Sequence, residues 1–157
     1  MTRYEVRPAR AEDARAIAQL FAAVAEERDG IATEPPVDVD ARAAAFAASI
    51  AGALVAVAES AVVGTIHVEP RHGVGEIGML VDREWRGRGV GSALLDAAIE
   101  RARGDGLHKL SLEVFPHNAA GLALYGKYGF VEEGRRAKHY RRASGELWDS
   151  IVMGLLL

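Results

Sequence analysis

The 157-residue sequence contains no cysteine, few aromatic residues and no long uninterrupted apolar segment. Without cysteine the chain has no disulfide, no thiolate metal site and no cysteine nucleophile. Its longest apolar runs, such as residues 53–58 and 155–157, are far shorter than the roughly 18 residues that suggest a membrane-spanning helix. Charged and polar residues follow directly after Arg3, unlike a secretory signal peptide. We therefore expect a soluble cytoplasmic protein with no membrane partner.

The composition is that of a folded protein. Half of the residues are hydrophobic, and the length predicts one domain, residues 1–157, large enough to bury a core. The densest basic segment, residues 135–142, lacks the interleaved aromatic residues and the wide basic field of a nucleic-acid site. We predict that it is a solvated strand face and expect no nucleic-acid partner. The five histidines show no metal-ligand spacing, and no metal site is expected.

Hydrophobic periodicity and turn residues predict alternating strands and helices. The predicted strands are residues 4–7, 53–59, 62–69, 75–81, 109–115, 130–141 and 147–156. Helices are predicted over residues 12–27, from a cap at Asp38 or Asp40 to Ser49, from near Ser92 to Gly104 or Gly106, and over residues 118–128. The third of these carries an apolar stripe at helical spacing, formed by Leu94, Leu95, Ala98, Ile99 and Ala102, which we expect to face the sheet.

The most informative motif lies where the strand over residues 75–81 runs into a glycine-rich turn that opens a helix. Glycines at positions 87, 89 and 91 let backbone N–H groups approach a ligand, and the helix adds unpaired donors and its positive dipole end. Arg86 and Arg88 supply positive charge. The turn lacks the Gly-Lys-Ser/Thr of a Walker A loop, and it lies mid-chain, unlike a dinucleotide-binding fingerprint. It predicts a phosphate-binding loop of another kind.

A second set of residues follows that helix in a fixed order. A strand over residues 110–114 is followed by Asn118 at the start of a helix, then by Leu124-Tyr125 and by Gly129-Phe130. Together with the Arg-x-x-Gly-x-Gly pattern of residues 86–91, this order resembles the GCN5-related N-acetyltransferase (GNAT) family. The match is closest to the ribosomal-protein and amino-acid N-acetyltransferase branches, and it covers most of residues 1–157.

The resemblance implies an α/β fold (α+β, with a mixed sheet). It also implies acetyl-CoA as the co-substrate. Its central, mostly antiparallel sheet would be splayed between strands 4 and 5 and flanked by about four helices. Acetyl-CoA would place its pyrophosphate on the glycine loop and its pantetheine arm in the splay, where an open strand offers backbone hydrogen-bonding groups. The implied cofactor-binding residues are Met79, Leu80, Val81, Arg86, Gly87, Arg88, Gly89, Val90, Gly91, Ser92, Asn118 and Tyr125.

Acyl transfer from a thioester to an amine requires a proton for the departing thiolate and a base for the amine. The family pattern points to Tyr125 as the acid, because a phenol of unperturbed pKa ~10 keeps its proton at neutral pH. Glu113 is the first candidate for the base, Glu76 is its rival, and a route that uses neither stays open. We expect the acceptor pocket to lie where the first two helices approach the acyl end of the cofactor. Among the acidic residues there, Glu34 is the candidate for substrate binding, since nearby prolines hold its loop.

The leading hypothesis is an acetyl-CoA-dependent N-acetyltransferase whose acceptor is a small amine, an amino acid or a protein N-terminus. The alternative is a non-catalytic acyl-CoA sensor or a subunit of a complex, which would keep the glycine loop without needing Tyr125. An acid-lined acceptor pocket would indicate polyamines or aminoglycosides instead. Homodimer formation is left open.

Overall fold

The computed structural model describes residues 3–157 and shows one seven-stranded sheet with helices on both faces. The strands are β1 (Glu5–Pro8), β2 (Ala53–Ala58), β3 (Ala61–Arg71), β4 (Val74–Val81), β5 (Lys109–Val114), β6 (Val131–Arg141) and β7 (Leu147–Leu156). The α-helices are α1 (Ala14–Glu26), α2 (Val39–Ala48), α3 (Val90–Gly104) and α4 (Ala119–Lys127). Met1 and Thr2, which the predicted domain includes, lie outside the described residues.

The sheet has the order β1-β2-β3-β4-β5-β7-β6, and all neighbours are antiparallel except β4 and β5. This parallel pair is joined only through Val74–Glu76 and Lys109–Ser111. Beyond Glu76, β4 stays paired with β3 as far as Val81 but has no strand on its other side. The sheet is therefore splayed between its fourth and fifth strands, which confirms the expected fold class.

The main core lies between the sheet and α3. The predicted stripe of this helix is buried throughout, and Leu94, Leu95 and Ala98 have no exposed surface. They pack against strand residues such as Ile66 and Leu110, which are equally inaccessible. Burying each large aliphatic side chain contributes about 1.5–3 kcal/mol, so this layer fixes the position of α3 and of the loop that precedes it.

Helices α1 and α2 cover the opposite face of the sheet. Ile17, Leu20 and Val24 of α1 are buried, whereas α2 buries no residue completely. The side chain of Asp38 caps α2 by accepting the Ala41 N–H at 3.0 Å, one of the two predicted caps. Helix α4 packs on the same face of the sheet as α3 and lies beside that helix.

Several boundaries differ from the sequence prediction by one or two residues, and two of them have a clear physical cause. Helix α3 begins at Val90 rather than near Ser92, because Gly89 in the left-handed conformation (φ 85°) ends the turn and the helix starts at once. The turn between β2 and β3 falls on Glu59 and Ser60, both with positive φ, rather than on residues 60 and 61. Within residues 3–157, no helix combines the length and the apolar character needed to cross a lipid bilayer.

The basic segment over residues 135–142 divides into two parts. Its residues on β6 form an edge strand and are largely exposed, as predicted for a solvated strand face. The last residue, Arg142, is buried with 4% exposure. The prediction of a solvated face is therefore wrong for Arg142, which turns inward where β6 ends.

Candidate active site

The glycine-rich loop presents backbone donors to a cleft of about 630 Å³. Gly87 and Gly89 have φ angles of 75° and 85°, which glycine adopts without steric cost. Gly89 is the N-cap of α3, and no side chain of the described residues caps this helix end. The first N–H groups of α3 therefore lack partners within the helix. A Cβ atom at Gly87 would meet nothing within 4 Å, so the loop borders open space.

Strand β4, the loop and the beginning of α4 together form the walls of this cleft, which we call the loop cleft. The residues predicted for cofactor binding line it with one exception: Met79, Leu80, Val81, Arg86, Gly87, Gly89, Val90, Gly91, Ser92, Asn118 and Tyr125. Arg88 is the exception, and its guanidinium lies 4.9 Å from the centre of the Trp85 ring. Asn118 is also the N-cap of α4, where its side chain accepts the Gly121 N–H at 2.9 Å.

Arg86 lines the loop cleft, but its donors are already engaged. Its terminal nitrogens donate to the two carboxylate oxygens of Glu27 at 2.6 and 2.8 Å. Its Nε donates to the Val81 carbonyl oxygen at 3.0 Å. The hydrogen bond to Glu27 is the main cause of the raised pKa of Arg86. Arg86 therefore ties the end of α1 to the loop, and a bound phosphate would compete with Glu27 for its guanidinium.

A second cleft of about 200 Å³ occupies the splay between β4 and β5, and we call it the gap cleft. Glu113, Tyr140 and Ser150 line it on the side of β5, β6 and β7. It shares five residues with the loop cleft, namely Gly30, Ile31, Met79, Asn118 and Tyr125. Tyr125 thus stands where the two clefts meet.

The environment of Tyr125 suits a proton donor. Its ring packs edge-on against Phe130 with 5.6 Å between the ring centres. Burial raises the pKa of Tyr125 to about 12, so the hydroxyl keeps its proton at neutral pH. Tyr128 differs, because its hydroxyl lies 2.9 Å from both the Ser92 carbonyl oxygen and the Asp96 carboxylate. That hydroxyl holds α4 to α3.

Of the two candidate bases, the structure brings Glu113 to the cleft that contains Tyr125. Its carboxylate accepts hydrogen bonds from the Ser150 hydroxyl at 2.7 Å and the Tyr140 hydroxyl at 3.2 Å. The Nε of Arg136 lies 3.7 Å from it. Glu76 is exposed at the last parallel pair of β4 and β5, and it lines neither cleft.

The structure places Glu34 outside both clefts. Its carboxylate accepts the Ala143 N–H at 2.7 Å and lies 3.8 Å from the guanidinium groups of Arg28 and Arg142. These contacts join the loop after α1 to the turn after β6. Its predicted part in substrate binding gains no support from this geometry.

Two residues close to the clefts were not predicted from the sequence to have a part in the site. Arg142 donates to the carbonyl oxygens of Arg28, Ile31 and Ala32 at 2.9–3.3 Å and lies 4.2 Å from the centre of the Trp148 ring. It thereby holds the loop that lines both clefts. His67 is the second, and burial lowers its pKa. No local sequence pattern marks Arg142, because its carbonyl partners are 110–114 residues away. None marks His67 either.

Comparison with known proteins bears on this arrangement. Residues 14–130 match the acetyltransferase (GNAT) family. The chain belongs to the GNAT family. The L-amino acid N-acetyltransferase AaaT of Escherichia coli is 40% identical over 109 residues, which are 64% of this chain and 65% of that protein. Over three curated GNAT relatives, the chain spans 36% to 65% of their length. The family resemblance inferred from the two motifs is confirmed.

Solved GNAT structures superpose on nearly the whole chain. A ribosomal-protein-alanine N-acetyltransferase from Brucella melitensis is 28% identical with a TM-score of 0.88, covering 98% of this chain and 99% of that one. A GNAT phosphinothricin acetyltransferase from Sinorhizobium meliloti, solved in complex with acetyl-CoA, has a TM-score of 0.87. It is 23% identical and covers 100% of this chain and 89% of its own, and at that identity it supports the fold alone.

Proposed function

We propose that this chain is an acetyl-CoA-dependent N-acetyltransferase acting on the primary amine of a small molecule, an amino acid or a protein N-terminus. The observation that carries the proposal is the position of Tyr125 at the junction of the loop cleft and the gap cleft. One cleft suits a phosphate-containing donor, the other leads to a carboxylate, and a partly buried phenol lies between them.

The loop cleft fits acetyl-CoA. The uncapped N-terminus of α3 offers backbone donors and a positive dipole end to a pyrophosphate. The open side of β4 beyond Glu76 offers backbone groups to the pantetheine amides, and Asn118 borders the same path. Arg88, beside Trp85, adds positive charge near the loop, whereas the charge of Arg86 is paired with Glu27. Acetyl-CoA, when bound, supplies the acetyl group as a thioester.

The side chains at the gap cleft divide the proton transfers between them. Glu113 removes a proton from the incoming ammonium, directly or through one water, so that the amine nitrogen can attack the thioester carbonyl carbon. As the new C–N bond forms and the C–S bond breaks, Tyr125 gives its phenolic proton to the leaving sulfur. Once the C–N bond has formed, the nitrogen loses its second surplus proton to solvent, Tyr125 is reprotonated from solvent, and the proton that Glu113 holds also leaves to solvent.

The acceptor's own acidity favours an α-amine. An α-amino group of pKa ~8 is about 10% neutral at pH 7, whereas a lysine-like amine of pKa ~10.4 is below 0.1% neutral. The Glu113 carboxylate is shared with Ser150, Tyr140 and Arg136. An acceptor that is already partly neutral needs less help from a carboxylate held in this way.

The proposal covers residues 1–157 as one N-acetyltransferase domain working in the cytoplasm, with neither nucleic acid nor membrane as a partner. The non-catalytic alternative, an acyl-CoA sensor or a complex subunit, is less well supported. Such a protein needs the glycine loop, but it gains nothing from a partly buried phenol that lines the same cleft as a carboxylate.

Mass spectrometry of amines incubated with protein and acetyl-CoA tests the proposal, with thermal unfolding as a parallel readout of binding. We expect an acetylated α-amine product, and a gain in unfolding free energy of about 2.7 kcal/mol when acetyl-CoA is present at 100 times its Kd. Stabilisation by acetyl-CoA without acetylation of any amine would support the sensor instead.

A further inference from the structure

A third cavity, of about 510 Å³, lies on the face of the sheet that α1 and α2 cover. Its walls come from α1, α2, the short 3-10 helix Ile50–Gly52, β3 and β4. Most of the lining residues are apolar, and they include Ile17, Phe21, Phe46, Ile50, Val68 and Pro70. We call this cavity the apolar chamber.

The apolar chamber is continuous with the proposed active site. It shares Ile31, Met79 and Leu80 with the loop cleft, and Ile31, Gly78 and Met79 with the gap cleft. All three cavities therefore meet at the middle of β4, where the strand has left β5. A group bound in the chamber would therefore lie next to the clefts that Tyr125 lines.

The chamber contains no site for a positive charge. Its hydroxyl groups are engaged: Thr65 donates to the Leu54 carbonyl oxygen at 2.9 Å, and Ser49 donates to the Ala45 carbonyl oxygen at 3.2 Å. Desolvation lowers the pKa of His67, which disfavours a charged imidazole in the lining. Among the described residues, Glu69 is the only carboxylate of the lining, and it is exposed and 3.7 Å from Arg71.

We propose that the apolar chamber binds the side chain of the acceptor, so that the preferred substrates are α-amines with an aliphatic or aromatic side chain. This inference rests on the proposed function and narrows it. Burial of a leucine or phenylalanine side chain in such a chamber is favourable, whereas a lysine side chain would lose its hydration without gaining a partner. Polyamines and aminoglycosides are thereby disfavoured.

A series of amino-acid amides with the same α-amine tests the inference, using the intact protein and acetyl-CoA. We expect kcat/KM for leucinamide and phenylalaninamide to exceed that for glycinamide by about tenfold or more, with lysinamide no better than glycinamide. Equal values along the series, or a preference for lysinamide, would overturn the inference and leave the proposed function intact. If acetyl-CoA binds and no amide is acetylated, both fail.

Phe46→Ala tests the chamber wall itself. Phe46 is partly exposed on α2 and contacts Phe21 edge-on at 5.9 Å between ring centres, so its loss should leave the fold intact. We expect the ratio of leucinamide to glycinamide kcat/KM to fall about fivefold or more. Val131→Ala, at a position on β6 that is 62% exposed, is the control and should keep the wild-type ratio. An unchanged ratio in folded Phe46→Ala would contradict the inference.

A second variant guards against a folding defect in the first. Ser49 is exposed and lines the chamber, and Ser49→Asp adds a second carboxylate to a lining whose own carboxylate, Glu69, lies beside Arg71. We expect the ratio of lysinamide to leucinamide kcat/KM to rise about fivefold or more. If this ratio stays at the wild-type value, the acceptor side chain does not lie in the chamber.

Discussion

Tyr125 and Tyr128 lie three residues apart on and next to α4, yet their hydroxyl groups have different surroundings. Burial raises the pKa of Tyr125 to about 12, and its side chain lines both clefts. The Tyr128 hydroxyl is held by Ser92 and Asp96 on α3. Only Tyr125 is free to give its proton to a ligand.

Tyr125→Phe keeps the ring and removes only this proton donor. We expect the variant to fold normally and to bind acetyl-CoA nearly as well as the wild type, while kcat falls about 100-fold or more. The loss should shrink with a thioester whose leaving thiol is more acidic, because that thiolate needs protonation less. Steady-state kinetics, with acetyl-CoA affinity measured by calorimetry, provide the measurement.

The matched control is Tyr128→Phe, which should lose stability through its broken hydrogen bonds but keep kcat within a few-fold of the wild type. The pH profile adds a check on the wild type. Because burial raises the pKa of Tyr125, any alkaline fall in kcat from its deprotonation should begin above the pH ~10 of an ordinary tyrosine. Full activity in Tyr125→Phe, with chemistry rate-limiting, would exclude the phenol as the acid.

Glu113→Gln removes the proposed base and keeps a similar shape beside Ser150 and Tyr140. We expect kcat/KM to fall at neutral pH and to recover partly at high pH, where the α-amine of pKa ~8 loses its proton unaided. Glu76→Gln is the matched control, since Glu76 lies outside both clefts. A pH-independent loss in Glu113→Gln would indicate a structural role, and a loss only in Glu76→Gln would transfer the assignment to that residue.

At the scale of elements, the loop between β4 and α3 depends on glycine for two reasons. Gly89 has a φ of 85°, and a Cβ atom there would lie 3.2 Å from the Tyr4 hydroxyl. Gly89→Glu adds backbone strain and places a negative charge at the phosphate-binding helix end. We expect acetyl-CoA binding to disappear, as measured by calorimetry or by the absence of thermal stabilisation.

Gly145→Glu separates strain from ligand contact. Gly145 also has positive φ, 92°, and its Cβ atom would meet nothing within 4 Å, but it lies in the turn between β6 and β7, away from the loop cleft. This variant should lose stability and retain acetyl-CoA affinity. Equal affinity in Gly89→Glu and the wild type would refute the assignment of the loop.

Elements with a strong local pattern were predictable from the sequence. The stripe of α3, the strand over residues 147–156 and the cap at Asp38 follow from spacing and from side-chain chemistry within a few residues. The splay could not be derived in this way, because it depends on where the pairing of β4 and β5 stops, and it came from the family resemblance.

Contacts between distant segments left no local pattern to find. Arg86 pairs with Glu27, 59 residues away, although its place in the glycine motif suggested a phosphate ligand. Arg142 ends a segment that is otherwise exposed, and only the fold shows that it turns inward. His67 alternates along β3 as an exposed residue, and only the fold shows that it borders a cavity.

At the scale of the whole molecule, Arg142 connects the turn after β6 to the loop after α1, which is more than 100 residues earlier in the chain. Residues 28–34 follow α1, and the buried guanidinium after β6 holds their carbonyl groups, while His117 lies 2.7 Å from the Asp29 carbonyl oxygen. Gly30 and Ile31 of this loop line both clefts. The shape of the active site thus depends on a side chain that touches no proposed substrate.

Arg142→Lys should show this dependence, because a single ammonium group cannot satisfy three carbonyl groups and stack on Trp148. We expect a loss of about 2–4 kcal/mol in unfolding free energy and weaker acetyl-CoA binding, measured by urea denaturation and calorimetry. Arg141→Lys, at the exposed neighbouring position, is the control and should change stability by less than about 0.5 kcal/mol. Equal stability of the two variants would contradict the assigned role.

The short parallel seam between β4 and β5 has a consequence for the lifetime of the protein. Three residue pairs join the four strands on one side to the three on the other. Beyond these pairs, β4 and β5 are held together only when a ligand fills the gap between them. We expect amide hydrogens of residues 77–81 and 112–114 to exchange more slowly once acetyl-CoA is added, and proteases to cut the protein less readily. Without acetyl-CoA the protein would be degraded sooner. Its abundance would therefore rise and fall with the concentration of acetyl-CoA in the cell.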